Sequence, residues 1–472
     1  MLFNSIDFFI FLIIVLTVYY SLSFSVRFQN IFLLIASYFF YGWWDYRFTS
    51  LILLSSVLDF YCGKKIQSSP NDKKKYLIMS LVGNLGVLAF FKYFNFFISS
   101  FSEFIRIMGL NVNPVVISIV LPIGISFYTF QTLAYTIDVY RGDIVPSKNF
   151  IDFALYVSFF PQLVAGPIER PTNLLKQISN KRHADVEMIT SGIFLIVLGL
   201  FKKVAIADYL AVTLVEEPFT SPNAYDSISL WIGVYAFALQ IYGDFSGYTD
   251  TARGVARILG FELMENFQHP YFSTNITDFW RRWHVSLSTW LRDYLYIPLG
   301  GSRKGKNRTY YNLMVTMLLG GLWHGASWKF VIWGGLHGLY LTVHKLLLRG
   351  KKHSTTIGSN FKERFFGVIK IGLTFNVVCL TWVFFRAKDF TTAMNYLYGM
   401  LSFHINKISI PIVFIYGIIA ILVCDIPQYA SNDHLAMMKW PPLLKGLIIT
   451  FMLLAILFLH PSQNVPFIYF QF

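Results

Sequence analysis

The chain has 472 residues, of which 55% are hydrophobic, 18% aromatic and only 14% charged, and its mean hydropathy is +0.53. This composition excludes an ordinary soluble globule. Because a spanning helix needs about 20 apolar residues, the length predicts an all-α, polytopic membrane protein with roughly 11–12 transmembrane or re-entrant helices. No Pro/Ser-rich linker divides the sequence, so we expect one membrane domain over residues 1–472.

The basic excess has an explanation in the membrane. The chain carries 39 Lys and Arg against 25 Asp and Glu, a net charge of +14. A soluble protein with this balance would suggest nucleic acid, but here the bases cluster between apolar runs, as the positive-inside rule describes. We therefore expect a lipid bilayer as partner and no nucleic acid. Cys62, Cys379 and Cys424 form no C-x-x-C pair, and no metal site is predicted.

Twelve apolar runs, separated by polar breaks, are the predicted membrane segments. They fall at residues 8–24, 31–44, 51–61, 76–91, 115–135, 189–214, 228–242, 310–323, 329–343, 368–385, 408–424 and 443–459. The first run is interpreted as a retained span rather than a signal peptide, since no basic segment precedes it. Lysines at 64, 65 and 73–75 predict a cytoplasmic loop at residues 62–75 and an external N-terminus.

Residues 242–250 interrupt an apolar stretch with two carboxylates, Asp244 and Asp250, and four hydroxyls. Their glycine and aspartate content is typical of an external loop. The alternative is that these side chains orient His284 or pair with Arg281 and Arg282.

Residues 277–299 are too polar to face lipid, so we interpret them as a re-entrant or cavity-lining helix. Helical spacing would put Arg281, His284 and Ser288 on one face. Arginine and histidine at membrane depth usually line a functional cavity, and a histidine can exchange a proton near neutral pH. An interfacial aromatic belt with snorkelling arginines is the alternative.

The loop at residues 300–307 matches the spacing of a phosphate-binding loop up to Lys306, but Asn307 replaces the hydroxyl residue that would hold Mg²⁺. A nucleotidase is therefore excluded. Arg303, Lys304 and Lys306 are candidates to bind the phosphates of an acyl carrier, or they form a positive-inside loop.

Residues 310–349 would make one helix of roughly 60 Å, about twice the thickness of the hydrocarbon. The segment must break, tilt steeply or turn back, most plausibly at residues 325–327, directly after His324. The glycine spacings 321/325 and 334/338 are typical of close helix packing. His324 is thus either a functional intramembrane histidine or a packing residue that donates to a carbonyl.

Other mechanisms lack their sequence signals. There is no G-x-S-x-G or G-x-G-x-x-G motif, so neither a serine nucleophile nor nicotinamide chemistry is supported. A channel or transporter, the competing class, would be expected to show interrupted helices in two repeated halves, and the sequence has no such repeat.

Residues 238–345 closely resemble the core of the membrane-bound O-acyltransferase (MBOAT) family, within it the bacterial branch that O-acetylates alginate. The matching motifs in this core are residues 240–250, 275–288, 296–303 and 321–328. Outside the core, similar motifs occur at residues 121–131, 164–170, 381–387 and 466–472.

The resemblance implies a helical core around a cytoplasmic catalytic funnel, with the family's catalytic histidine at His324 and its second histidine at His284. An acyl thioester such as acetyl-CoA would be the donor, with no permanently bound cofactor. The acetyl group would cross the bacterial cytoplasmic (inner) membrane to periplasmic SGNH-type acetyltransferases that modify an exopolysaccharide. Sister roles are O-acetylation of cellulose or peptidoglycan and D-alanylation of teichoic acid.

The polar motifs also give a set of candidate substrate- and donor-binding residues. These are Asp244, Ser246, Tyr248, Asn275, Asp278, Trp280, Arg281, Arg282, Trp323, Arg303, Lys304 and Lys306.

Overall fold

The computed structural model describes residues 1–110, 116–348, 360–405, 409–462 and 465–470. It is all-helical, with 77% helix, and no strand occurs within these ranges. This confirms the predicted fold class, since only helices satisfy every backbone group of a non-barrel chain in lipid. Residues 115, 349, 408, 471 and 472, which belong to the predicted runs and motifs, lie outside the described ranges.

The described residues form two compact units. Residues 1–190 and 255–264 make up the first, and residues 191–254 and 265–472 the second. The helices of the first unit are α1 (Ile6–Ser21), α2 (Val26–Asp45), α3 (Thr49–Ser68), α4 (Lys73–Leu88), α5 (Phe94–Ile107), α6 (Ile125–Arg141), α7 (Phe150–Ser158), α8 (Phe160–Leu163) and α9 (Leu174–Ile178).

A buried carboxylate links three helices of the first unit. Asp59 in α3 is fully buried and accepts hydrogen bonds from Asn84 Nδ2 of α4 at 2.8 Å and from Thr136 Oγ1 of α6 at 3.1 Å. Ser80 of α4 donates to the same carboxylate. Because a polar group without partners is costly in an apolar interior, these bonds fix how the three helices pack.

The helix α10 (Val186–Leu200) continues into a π-helical stretch, Phe201–Asp208, of the second unit. The remaining helices are α11 (Glu216–Thr220), α12 (Ser227–Ile258), α13 (Ile276–Arg282), α14 (Val285–Leu291), α15 (Lys306–His324), α16 (Trp328–Leu348), α17 (Phe361–Arg386), α18 (Phe390–Leu401), α19 (Ile412–Ser431) and α20 (Pro442–Phe458).

Several helices are long and apolar enough to cross a bilayer. Among the described residues they are Pro70–Ile107, Val186–Thr220, Ser227–Ile258, Phe361–Arg386 and Ile412–Ser431, and α1 and α20 are shorter apolar helices. A multi-pass membrane protein is therefore confirmed, whereas the total of 11–12 membrane helices and the single domain stay predictions.

Residues 242–250 do not form an external loop, so that interpretation was wrong. They lie in the continuous 32-residue helix α12 and are buried. Glycines bring α12 against α10, because a Cβ on Gly247 would stand only 2.6 Å from the carbonyl oxygen of Gly199. The polar side chains face protein partners rather than water or lipid.

The predicted break after His324 is confirmed. Helix α15 ends at His324 and α16 begins at Trp328, and the two pack closely. A Cβ on Gly321 would lie 3.0 Å from the Cα of Gly334, so these glycines permit the close approach that their spacing predicted.

The single helix predicted over residues 277–299 is wrong. Two short helices, α13 and α14, flank His284, whose backbone is left-handed with φ of 44°. Arg281, His284 and Ser288 therefore do not share one helical face.

Candidate active site

The two predicted histidines lie next to each other in the second unit. His324 ends α15 and is 3% exposed, and His284 precedes α14 and is completely buried. Their ring centroids are 6.3 Å apart. Two segments separated by some forty residues thus bring both imidazoles into one place, which we call the histidine pair.

The left-handed turn gives His284 a fixed orientation. Asn266 Oδ1 accepts hydrogen bonds from the backbone N–H of Ser286 at 3.1 Å and from its hydroxyl at 2.9 Å. The Nδ1 of His284 lies 3.2 Å from the same oxygen, so Nδ1 carries the proton and Nε2 is the acceptor nitrogen. An imidazole held in this way can orient a polar group beside His324.

Aromatic rings enclose the histidine pair. Around His324 the ring centroids of Trp333, Phe385 and Tyr469 lie at 5.0, 5.4 and 5.6 Å. Phe245 packs edge-on against His284 at 4.7 Å. Such an apolar surround keeps water away and strengthens electrostatic interactions.

Sequence reasoning missed Tyr469 as a site residue. Its ring lies 5.6 Å from that of His324 and 6.2 Å from that of His284, in the short helix Ile468–Phe470. The family-like motif at residues 466–472 was the available signal, but proximity to residues more than 140 positions earlier cannot be obtained from spacing.

The two aspartates of the polar motif in α12 form buried ion pairs with lysines to which the sequence had assigned no role. Asp244 pairs with Lys203 at 2.8 Å, and Asp250 pairs with Lys202 at 2.8 Å and with His434 at 2.9 Å. The alternative pairing with Arg281 and Arg282 was therefore wrong. Ser246 and Tyr248 are buried on the same helix, and Tyr248 packs on Phe467 at 4.7 Å.

The other residues of the 275–283 motif shape the backbone before His284. Asn275 caps α13 by accepting from the N–H of Asp278 at 2.9 Å, and Asp278 pairs with Arg282 at 3.0 Å. The indole of Trp280 donates to His337 Nδ1 at 3.2 Å. The side chain of Arg281 is exposed.

A polar cavity of about 600 Å³ lies beside α13. Its lining residues are Glu265, Gln268, His269, Asp278, Arg281, Arg282, Tyr429, Ala430, Asn432, Asp433 and His434. Of the predicted donor-binding residues, Asp278, Arg281 and Arg282 contribute to this wall.

The basic loop is not near the histidine pair. Arg303, Lys304 and Lys306 are exposed, and α15 begins at Lys306 and ends at His324, so the loop and His324 stand at opposite ends of a helix about 27 Å long. Trp323, by contrast, contacts both imidazoles, at 5.9 Å from His284 and 5.1 Å from His324.

Comparisons with known proteins identify the family of the chain. The family model described as "membrane-bound O-acyltransferase family" matches residues 144–382. The chain is 43% identical to "Probable alginate O-acetylase AlgI" of Pseudomonas syringae pv. tomato, over 84% of this chain and 74% of the relative. The protein of the same name from Pseudomonas aeruginosa is 44% identical, over 85% and 75%.

A further relative modifies a different polymer. "Peptidoglycan O-acetyltransferase" of Helicobacter pylori is 37% identical, over 81% of this chain and 75% of the relative. Both the family match over half of the chain and these identities over most of it exceed chance resemblance. The chain therefore belongs to the membrane-bound O-acyltransferase (MBOAT) family and is a multi-pass membrane O-acyltransferase.

Proposed function

We propose that this enzyme takes an acetyl group from a cytoplasmic acyl thioester and passes it across the membrane for O-acetylation of an exopolysaccharide of the alginate type. The observation that carries the proposal is a buried histidine pair in a chain 43% identical to an alginate O-acetylase relative. Acyl transfer to a hydroxyl needs a base, and a buried imidazole supplies one.

His324 is the proposed general base. The oxygen of an acceptor hydroxyl attacks the thioester carbonyl carbon, a C–O bond forms and the C–S bond breaks. His324 takes the hydroxyl proton and returns it to the departing thiolate, so protons balance over the cycle. His284 orients the reacting groups with Nε2, its acceptor nitrogen. The surrounding aromatic rings exclude the water that would hydrolyse the thioester.

Acetyl-CoA is the proposed donor, consumed as a substrate rather than held as a cofactor. Its carbonyl is already activated, so proton transfer and positioning are all that the protein has to contribute. We place the mouth for the donor at the polar cavity beside α13, because exposed Arg281 lies there, three residues from His284, and can attract a phosphate.

The final acceptor requires a partner. His324 is 3% exposed and surrounded by aromatic rings. We therefore propose that the polymer does not reach His324 and that an SGNH-type acetyltransferase outside the bacterial inner membrane completes the transfer. The expected partners are the lipid bilayer and the SGNH-type acetyltransferase, and we expect no binding of nucleic acid.

Peptidoglycan is the second candidate acceptor. The Helicobacter pylori relative named for that polymer is 37% identical over 81% of this chain, close to the values for the alginate relatives.

Deletion of the gene in its own bacterium, followed by restoration of the wild-type gene, tests the proposal. Ester-linked acetate is measured separately on purified exopolysaccharide and on purified peptidoglycan. We expect acetate to disappear from the exopolysaccharide and to return on restoration. Loss from peptidoglycan alone would favour the second candidate, and unchanged acetate on both would contradict acetylation of either polymer.

A further inference from the structure

Lys203 is an intramembrane lysine with an unusual set of partners. It lies in the π-helical stretch Phe201–Asp208, within the span Val186–Thr220, and is 7% exposed. Its ammonium is 2.7 Å from Asp208 Oδ1 and 2.8 Å from Asp244 Oδ1. A buried ammonium is costly unless it is paired, and intramembrane charges usually serve a function.

This ion cluster also binds a distant part of the chain. Asp244 Oδ2 accepts a hydrogen bond of 2.7 Å from the backbone N–H of Ile468, and Lys203 Nζ lies 3.4 Å from the carbonyl oxygen of Val465. The two contacts hold the C-terminal segment, residues 465–470, by its backbone. Because hydrogen bonds to charged groups are stronger than those between neutral groups, these two contacts stabilise the position of the segment.

The C-terminal segment in turn forms a wall of the histidine pair. Its Tyr469 ring lies 5.6 Å from His324 and 4.4 Å from Phe245, the residue that packs on His284. Phe467 is 1% exposed and stacks on Tyr469 at 5.6 Å. If the segment were released, one aromatic side of the enclosure would open.

We propose that Lys203, with Asp244 and Asp208, is a latch that positions the C-terminal segment against the histidine pair and thereby keeps water from the reacting thioester. Lys203 is a positioning residue, since it acts through the segment. This inference rests on the proposed acyl transfer. Without the latch, water replaces the acceptor hydroxyl, the C–S bond breaks, and acetate and free thiol are released.

The adjacent lysine offers a matched control. Lys202 is also buried and pairs with Asp250 at 2.8 Å, but the further partners of Asp250 are His434 and Arg253 rather than the C-terminal segment. Replacing either lysine by methionine removes one buried charge. Only the Lys203 change is expected to free the segment.

The first measurement does not depend on activity. Phe467→Cys in purified full-length protein is treated with a maleimide, in chains carrying wild-type Lys203, Lys203→Met or Lys202→Met. We expect the thiol to be labelled only with Lys203→Met. Equal labelling with both lysine variants, or protection with both, overturns the latch.

The second measurement follows the fate of acetyl-CoA in proteoliposomes that contain the full-length enzyme, with the SGNH-type acetyltransferase and purified exopolysaccharide on the opposite side of the membrane. We expect Lys203→Met to lower transfer by about 10²-fold while hydrolysis rises. Lys203→Arg, which keeps the positive charge, should retain the wild-type ratio of hydrolysis to transfer. An unchanged ratio of hydrolysis to transfer overturns the proposal. If wild-type protein transfers no acetyl group, the proposed function fails, while the labelling still decides the latch.

A second variant guards against misfolding. Lys203→Met removes a cation between two carboxylates, which can prevent accumulation of the protein. Lys203→Met combined with Asp208→Asn keeps the net charge of the cluster and still removes the latch. We expect its labelling and its ratio of hydrolysis to transfer to match those of Lys203→Met, and wild-type behaviour in both would overturn the proposal.

Discussion

His324 and His337 are both buried imidazoles, but their contacts assign them different roles. His337 Nδ1 accepts from Trp280 at 3.2 Å, and its Nε2 lies 3.0 Å from the hydroxyl of Thr381. Both of its nitrogens thus connect helices. His324 instead sits at a helix break, beside a second histidine and the aromatic enclosure. The difference lies in the neighbours and cannot be derived from residue type.

We expect His324→Ala to accumulate in the membrane and to transfer acetyl groups about 10²–10⁴-fold more slowly, because the general base is lost. Polymer-bound acetate is measured alongside the abundance of the protein in membranes. The exposed residue His404 gives a neutral control, His404→Ala. Substantial acetylation by a well-expressed His324→Ala variant would move the catalytic role to His284.

His337→Ala should act on stability instead. It leaves the half-buried indole of Trp280 and the buried hydroxyl of Thr381 without this partner, at a cost of about 1–3 kcal/mol. We expect a lower unfolding temperature in detergent and, per folded molecule, nearly normal transfer. A fall in transfer as large as that of His324→Ala, without a fall in unfolding temperature, would contradict a structural role.

The two adjacent arginines, Arg281 and Arg282, should differ in their effect on stability. Arg282 pairs with Asp278, whose side chain is 5% exposed, and lies over the ring of Tyr429 at 5.6 Å. We expect Arg282→Ala to lower the free energy of unfolding by about 1–3 kcal/mol, since it leaves a buried carboxylate without its cation. Arg281→Ala, at an exposed position, should change it by less than about 0.5 kcal/mol. Equal unfolding temperatures for the two variants would contradict this assignment.

At the scale of elements, α15 and α16 position His324 through their glycine contact. A Cβ on Gly334 would collide with the carbonyl oxygen of Met317, whereas one on Gly335 would make an ordinary contact of 3.4 Å with Leu318. We expect Gly334→Ala to cost about 1–3 kcal/mol through overpacking and to lower transfer by displacing His324. Gly335→Ala is the matched control. Similar unfolding temperatures for both variants would show that the close approach is not required.

The break after His324 was predictable because it depends on length alone. A helix of 310–349 cannot fit the bilayer, and the glycines beside the break indicate where it lies. The second break, at His284, has no such signal. Its left-handed backbone is held by Asn266, eighteen residues earlier, and a tertiary contact of this kind leaves no trace in the hydrophobic period.

The prediction of an external loop at residues 242–250, in α12, failed for the same reason. Glycine and aspartate are typical of loops, but Asp244 and Asp250 remain in a helix because Lys203 and Lys202 neutralise them. Those lysines come from another span. The sequence pointed to both histidines and to Trp323, whereas the aromatic neighbours Trp333, Phe385 and Tyr469 and the buried lysines required the structure.

At the scale of the whole molecule, two basic surfaces compete as the site that binds a phosphorylated donor. The loop with Arg303, Lys304 and Lys306 is about 27 Å along α15 from His324, whereas Arg281 lines a cavity of about 600 Å³ and is three residues from His284. Lysines and arginines in loops also fix topology without binding any ligand. The cavity favours Arg281 for donor binding and a topological role for the loop.

We therefore expect Arg281→Gln to raise the KM for acetyl-CoA roughly 10- to 150-fold, with little change in kcat, because a charge-assisted bond to a phosphate contributes roughly 1.5–3 kcal/mol. The effect should shrink at high salt, which screens an exposed charge. Arg303→Gln combined with Lys304→Gln and Lys306→Gln is the control and should leave the KM unchanged. A raised KM in this triple variant, with wild-type kinetics in Arg281→Gln, would reverse the assignment and require the donor to reach His324 along the length of α15.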